Sequence, residues 1–128
     1  MAQRLLSIIE TAYRATLEEQ DDPVLWLTQV LRNQGADAHV LLRGNAVNYA
    51  VRGQDAAGLA FGDRRQTQPP RIHDDLARFA QHGGTVYAVE DDLRERGIHK
   101  GEIADGVSLV KSAALPSLLG EFDQVWQW

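Results

Sequence analysis

The chain of 128 residues contains no cysteine. That absence excludes disulfides, cysteine-ligated zinc, iron–sulfur clusters, and every mechanism that needs a cysteine nucleophile or a persulfide carrier. Long apolar runs are missing too. None approaches the ~18 residues of a membrane helix, and the stretch behind Met1-Ala2-Gln3-Arg4 is too short for a signal peptide, so a soluble cytoplasmic protein is the expectation. Basic charge is scarce: 13 Lys and Arg stand against 18 Asp and Glu, for a net charge of -5 and a pI near 5.2. This balance argues against binding a phosphate backbone, and neither nucleic acid nor a membrane is an expected partner. The phosphate-cradling patterns Gly-x-Gly-x-x-Gly and Gly-x-x-x-x-Gly-Lys-Ser/Thr are absent. Ser7, Ser108, Ser112 and Ser117 lack a nucleophile-elbow context, and no cofactor is expected.

What is present reads as one globular domain over residues 1–128. The length allows a single core and is short for two, while 44% hydrophobic and 24% charged residues mark a chain that folds unaided. Leu5-Leu6-Ser7-Ile8-Ile9 centres a strand over 4–10, chosen over a helical reading because Ile8-Ile9 is β-branched and a clear helix start comes later. At Asp21-Asp22-Pro23 an aspartate can cap and proline can occupy the first turn of a helix that runs to Asn33, with Val24, Leu27, Val30 and Leu31 as its inner stripe. Ala38 to Leu42 is a nearly continuous apolar run, the pattern of a strand covered on both faces. A short helix over 45–51 follows. Residues 54–71 read as a long surface loop with one turn at Leu59-Ala60-Phe61.

A third helix over 74–81 turns Leu76, Phe79 and Ala80 inward and stops at Gly83-Gly84. Thr85 to Val89 is the strongest strand pattern, and Glu90-Asp91-Asp92 opens a short helix through Arg96. A strand over 107–110, a helix over 114–121 and a strand over 124–128 complete the order. Strands that alternate with helices specify an α/β fold, a three-layer α/β/α sandwich around a mainly parallel five-stranded sheet of flavodoxin-like type.

In such a sheet ligands bind beyond the carboxyl ends of the strands, where loops converge. This rule selects a mouth lined by Glu10, Thr11 and Tyr13 after the first strand, Asn45 after the second, and Val89, Glu90, Asp91 and Asp92 at the end of the strand over 85–89. The clustered carboxylates have two readings. They can serve as an acid/base or hard-cation site, with Glu90 and Asp91 the first choices, or they can cap the helix they open and oppose its dipole. His73-Asp74-Asp75 sits at a helix start and lacks a second histidine at ligand spacing, so no metal site is assigned there. His99-Lys100 lies in a loop within reach of an anionic ligand, and Trp126 and Trp128, two apart on a strand, share one face.

The segment Thr85-Val86-Tyr87-Ala88-Val89-Glu90-Asp91-Asp92-Leu93-Arg94-Glu95-Arg96-Gly97-Ile98, with Asp105-Gly106-Val107 and the approach to Asp123-Gln124-Val125, resembles the DsrE/DsrF-like family, which includes TusD-type sulfur-relay proteins. Gly44-Asn45-Ala46-Val47 resembles that family's turn after the second strand. The resemblance implies an α/β sandwich assembled as a homo-oligomer, such as a trimer or hexamer, or as a subunit of a hetero-oligomer. It also implies a persulfide-bearing cysteine at the position of Val89 and a second cysteine, in some members, at Asp92. Neither position holds a thiol here, so the relay activity does not transfer. The reading that follows is a non-catalytic module that binds a protein partner or small ligand, as a companion in intracellular sulfur metabolism. The alternative is an enzyme that uses Glu90 or Asp91 as acid/base, with or without a divalent cation.

Overall fold

The structure, a computed structural model, describes residues 3–12, 22–54, 58–67 and 71–128. Tyr13, Asp21 and Pro69-Pro70 lie outside the described residues. The element order is β1 (Arg4–Ile9), α1 (Pro23–Asn33), β2 (Asp37–Leu42), a 3₁₀ segment (Gly44–Ala50), β3 (Ala60–Phe61), β4 (Arg64–Arg65), α2 (Ile72–Gln81), β5 (Val86–Val89), α3 (Glu90–Glu95), a 3₁₀ turn (Lys100–Glu102), β6 (Val107–Val110), a 3₁₀ turn (Ser112–Ala114), α4 (Leu115–Leu119) and β7 (Gln124–Gln127). The expected α/β architecture is present. Three local expectations are corrected. The inner face of α1 is Val24, Leu25 and Thr28, whereas Leu27, Val30 and Leu31 are half-buried. The region read as a loop with one turn carries a small hairpin, with Ala60 opposite Arg65 and Phe61 opposite Arg64, because Gly62 supplies the positive φ that the tight turn requires. The last helix is shorter than the apolar pattern of 114–121 implied, since Pro116 sets its first turn and the chain leaves the helix at Gly120.

Five strands form one sheet in the order β6-β5-β2-β1-β7, and every pairing is parallel. From β1 the chain steps through β2 and β5 to β6 in one direction. Right-handed crossovers therefore stack α1, α2 and α3 on one face. The return from β6 to β7 crosses the whole sheet the other way, and its connector α4 lands on the opposite face. The core divides accordingly. Ile9, Val40, Leu42, Val86 and Ala88 pack with Val24, Leu25, Tyr49, Leu76, Phe79 and Leu93 on the first face, and Leu6, Ile8, Leu41 and Val89 pack with Leu118 and Phe122 on the second. Consecutive residues of one strand join different clusters, which explains why β1 and β2 read as unbroken apolar runs.

α1 begins as the sequence requires. The Asp22 side chain accepts from the N–H groups of Val24 and Leu25 at 2.9 and 3.2 Å, and also from the Tyr49 hydroxyl at 2.5 Å. One carboxylate thus caps the helix and ties it to the 3₁₀ segment after β2.

A polar cluster sits at the amino ends of the strands. Buried His39 places Nε2 2.7 Å from Asp37 Oδ1, while its Nδ1 accepts the Thr85 N–H at 3.0 Å. This pairing assigns the ring proton to Nε2. Desolvation, helped by the charges of Arg32 and Arg4, holds the His39 imidazole below its usual range against the pull of Asp37. Burial raises the Asp37 carboxyl, but the hydrogen bond and charge of His39 and the contact with Arg4 outweigh it and leave the group lowered. Protonation of Nδ1 would set a donor against the Thr85 N–H. The unfolded chain takes up a proton near pH ~6.5 that the folded chain refuses, so stability falls as pH drops through that value. Asp37 adds a second loss below its unfolded pKa of ~3.9. Urea midpoints are expected to decline between pH 7.5 and 5.5, and His39→Gln to flatten part of that decline; a slope unchanged by the substitution would contradict the assignment.

Candidate functional site

Connections from neighbouring strands diverge at one place in this sheet. β5 leads into α3 on the first face, whereas β6 leads toward α4 on the second, so the crevice between their carboxyl ends is the topological switch point at which open α/β sheets bind ligands. Glu90 and Asp91 follow β5 on one side of it, and Lys111 and Ser112 follow β6 on the other. The sequence-based choice of the 89–92 turn therefore falls on the topologically privileged position.

Each carboxylate of that turn has a partner within the chain. Glu90 Oε1 meets Lys100 Nζ at 2.8 Å, and this contact, with the charges of Lys111 and Arg94, holds the Glu90 carboxyl below its usual range. Asp91 Oδ2 accepts the Ser112 N–H at 3.2 Å across the crevice, while Oδ1 meets Arg94 at 3.3 Å. Ser112 is the main cause, with Arg94 and Lys111 behind it, of an Asp91 pKa that is also lowered. Asp92 turns away and accepts the Gly44 N–H at 2.8 Å, which binds the end of β2 to the start of α3. These carboxylates leave in three directions, as consecutive residues of a helix must. A general acid needs a raised pKa, whereas Glu90 and Asp91 are shifted the other way.

The remaining residues of the expected mouth divide between two groups. Asn45 joins the 90–92 turn through Arg96, whose Nε and Nη2 donate to Asn45 Oδ1 at 3.1 and 3.0 Å while Nη1 donates to the Asp92 carbonyl at 3.1 Å. The Glu10 side chain belongs elsewhere. Its Oε1 lies 3.2 Å from Arg43 Nε and accepts from Gln127 Nε2 at 2.7 Å, on the β7 side of the sheet. The Glu10 carbonyl accepts the Ala46 N–H at 3.2 Å, beside Asn45, so it is the Glu10 side chain that points away from the acidic turn, across the intervening β2. Thr11 is exposed. Val89 is 1% exposed, its side chain sealed among Leu6, Ile8, Leu41, Leu118 and Phe122. Sequence reasoning did not single out Arg96, Arg43, Lys111 or Gln127. No side-chain spacing could have marked Arg96, since it donates to the Asp92 backbone carbonyl and to Asn45 rather than to the Asp92 carboxylate.

Beside the crevice, on the α3 side, lies a cavity of about 180 Å³ with Leu93, Ile98 and Leu109 as its floor and Glu90, Arg94, His99 and Lys100 around it. Among the described residues no group of three or more His, Asp or Glu side chains is arranged to hold a metal ion.

No protein-family model matches the chain, and no curated protein matches it in sequence. Solved structures do match in three dimensions, from end to end. The ychN protein from E. coli superimposes with a TM-score of 0.73 at 21% identity, over 100% of both chains. In fold, this chain is similar to ychN. MTH1491 from Methanobacterium thermoautotrophicum, a protein of unknown function, gives 0.64 at 16% identity over 98% of this chain and 99% of its own. BT1422 from Bacteroides thetaiotaomicron, also of unknown function, gives 0.66 at 16% identity over 97% and 94%. At these identities the likeness to ychN and the others establishes the fold, and activity is a separate question. Among the described residues no helix is long and apolar enough to cross a membrane.

Proposed function

We propose that the chain is a DsrE-like protein without relay chemistry: a non-catalytic module that assembles into an oligomer and presents a surface to a protein partner, as a companion subunit in intracellular sulfur metabolism. The observation that carries this reading is the state of the 89–92 turn. Val89, at the position where the family resemblance puts the sulfur-bearing thiol, is an aliphatic residue packed into the second-face core. A methyl-bearing side chain forms no persulfide. The carboxylates beside it are engaged with Lys100, Ser112, Arg94 and Gly44, so they hold the strand ends together.

Light scattering coupled to size exclusion tests the assembly. A mass of at least twice 14.2 kDa is expected, and Glu90→Gln should leave that mass unchanged. A strictly monomeric protein would overturn the proposal. Calorimetric titration of Mg²⁺, Mn²⁺ and Zn²⁺ should give no heat that Glu90→Gln abolishes; such a heat would instead favour the carboxylate enzyme.

A further inference from the structure

β7 is a short edge strand, preceded by Asp123. Gln124-Val125-Trp126-Gln127 and the following Trp128 contain no charge, proline, glycine or bulge, and all are exposed. The opposite edge, β6, is by contrast half-buried over Val107, Leu109 and Val110, with Ser108 alone exposed. Natural sheets blunt an unpaired edge with charge, proline or a covering element, because open N–H and C=O groups template pairing with another chain.

The direction of those groups follows from the register. β7 pairs with β1 through Leu5–Gln124, Leu6–Val125, Ser7–Trp126 and Ile8–Gln127, and the Trp128 N–H donates to the Ile8 carbonyl at 3.0 Å. In a parallel ladder alternate residues bond the neighbour. Gln124, Trp126 and Trp128 therefore turn their backbone groups toward β1, and Val125 and Gln127 turn theirs outward, where no described residue meets them. The side chains alternate as well. Val125 stands beside Leu6 on the α4 face, while Trp126 and Trp128 stand on the α1 face, in edge-to-face contact at 6.3 Å and still 37% and 40% exposed.

We infer that β7 is the seam at which two copies of this chain join, antiparallel and about a two-fold axis through Trp126, into one continuous ten-stranded sheet. This inference rests on the assembly reading above and names its surface. An antiparallel pairing centred on Trp126 sets Val125 against Gln127 of the second copy, and reciprocally, so each outward N–H and C=O finds a partner. Trp126 then faces its own counterpart as a non-hydrogen-bonded pair, with Cα atoms about 4.5 Å apart, the spacing at which cross-strand aromatic side chains touch. The two-fold keeps the α1 faces of both copies on the same side, and both tryptophan pairs meet over the seam. Two chains of net charge -5 repel, so a contact between copies requires a patch without charged side chains, and residues 124–128 form such a patch, with Asp123 at its end.

Val125→Pro tests the pairing, because it removes an outward N–H and leaves the bonds to β1 in place. The wild-type assembly should lose half its scattering mass on this substitution, with the far-UV circular dichroism retained. Hydrogen exchange on the wild type is the second measurement and needs no variant. The Val125 and Gln127 amides should be protected at concentrations where the protein assembles and should lose that protection on dilution to monomer. An unchanged mass in Val125→Pro, or free exchange of these amides in the assembled protein, overturns the seam and leaves the assembly reading standing. Protection that persists in the monomer overturns it also, since a segment of the same chain would then cover the edge. A wild type that never assembles overturns both.

Discussion

Asp22→Ala is expected to destabilise the protein by about 2–4 kcal/mol. The residue is 1% exposed and accepts hydrogen bonds from the Val24 and Leu25 N–H groups and the Tyr49 hydroxyl. Loss of an N-cap side chain costs typically ~1 kcal/mol. Loss of the buried hydrogen bond between the Tyr49 hydroxyl and the Asp22 carboxylate adds about 1–3 kcal/mol. At roughly 3–5 °C per kcal/mol for a domain of this size, the melting temperature should fall by about 6–20 °C. Thermal and urea denaturation check it. Asp22→Asn, which keeps an acceptor for the helix, should cost less. Tyr49→Phe in the Asp22→Ala background should cost little more than Asp22→Ala alone, because the two side chains share one interaction. Full additivity in that cycle would show that the Tyr49 contact contributes nothing.

The second large effect concerns a residue with no side chain. A Cβ placed on Gly84 would lie 2.3 Å from Phe79 Cε1, 2.6 Å from Cδ1 and 2.7 Å from Cζ, and Phe79 is fully buried against the first face of the sheet. Ring atoms at those distances cannot remain in place, and the packed core gives the ring nowhere to move without displacing its neighbours. Gly84→Ala should therefore cost about 1–3 kcal/mol, the usual range for overpacking. Phe79→Leu costs stability by itself, yet combined with Gly84→Ala it should cost less than the sum of the two. Denaturant midpoints of the two single variants and the double variant measure the coupling. An additive result would mean that the chain at 82–85 moves to accommodate the methyl.

These two sites show which features the linear chain discloses. Asp22-Pro23 announces a helix start because capping is local: the carboxylate reaches N–H groups two and three residues on. The second role of Asp22, as acceptor for Tyr49 twenty-seven residues away, has no local signal. Gly84 reads as a helix stop, and it does follow α2, but the contact that forbids a Cβ there depends on where the Phe79 ring points. The candidate site divides in the same manner. Asp92 and Asn45 were placed in one mouth and do meet, through Gly44 and Arg96. Glu10 was placed with them, and its carbonyl does meet the Ala46 N–H, but its side chain lies with Arg43 and Gln127, because the reach of a side chain depends on strand order.

The sequence by itself determined that this protein carries no thiol chemistry, since composition needs no geometry. It also determined the alternation of strands and helices, since apolar periodicity, capping residues and glycine stops act within a few residues of one another. Only the tertiary structure decided that the order is β6-β5-β2-β1-β7. Crossover connections can reach a near or a distant strand, and strand order emerges from the burial of both sheet faces at once. From that order come the β5–β6 crevice as switch point, the separation of the Glu10 side chain from the acidic turn and, among the described residues, the single helix on the second face. The same order leaves the uncharged strand of Trp126 at an open edge.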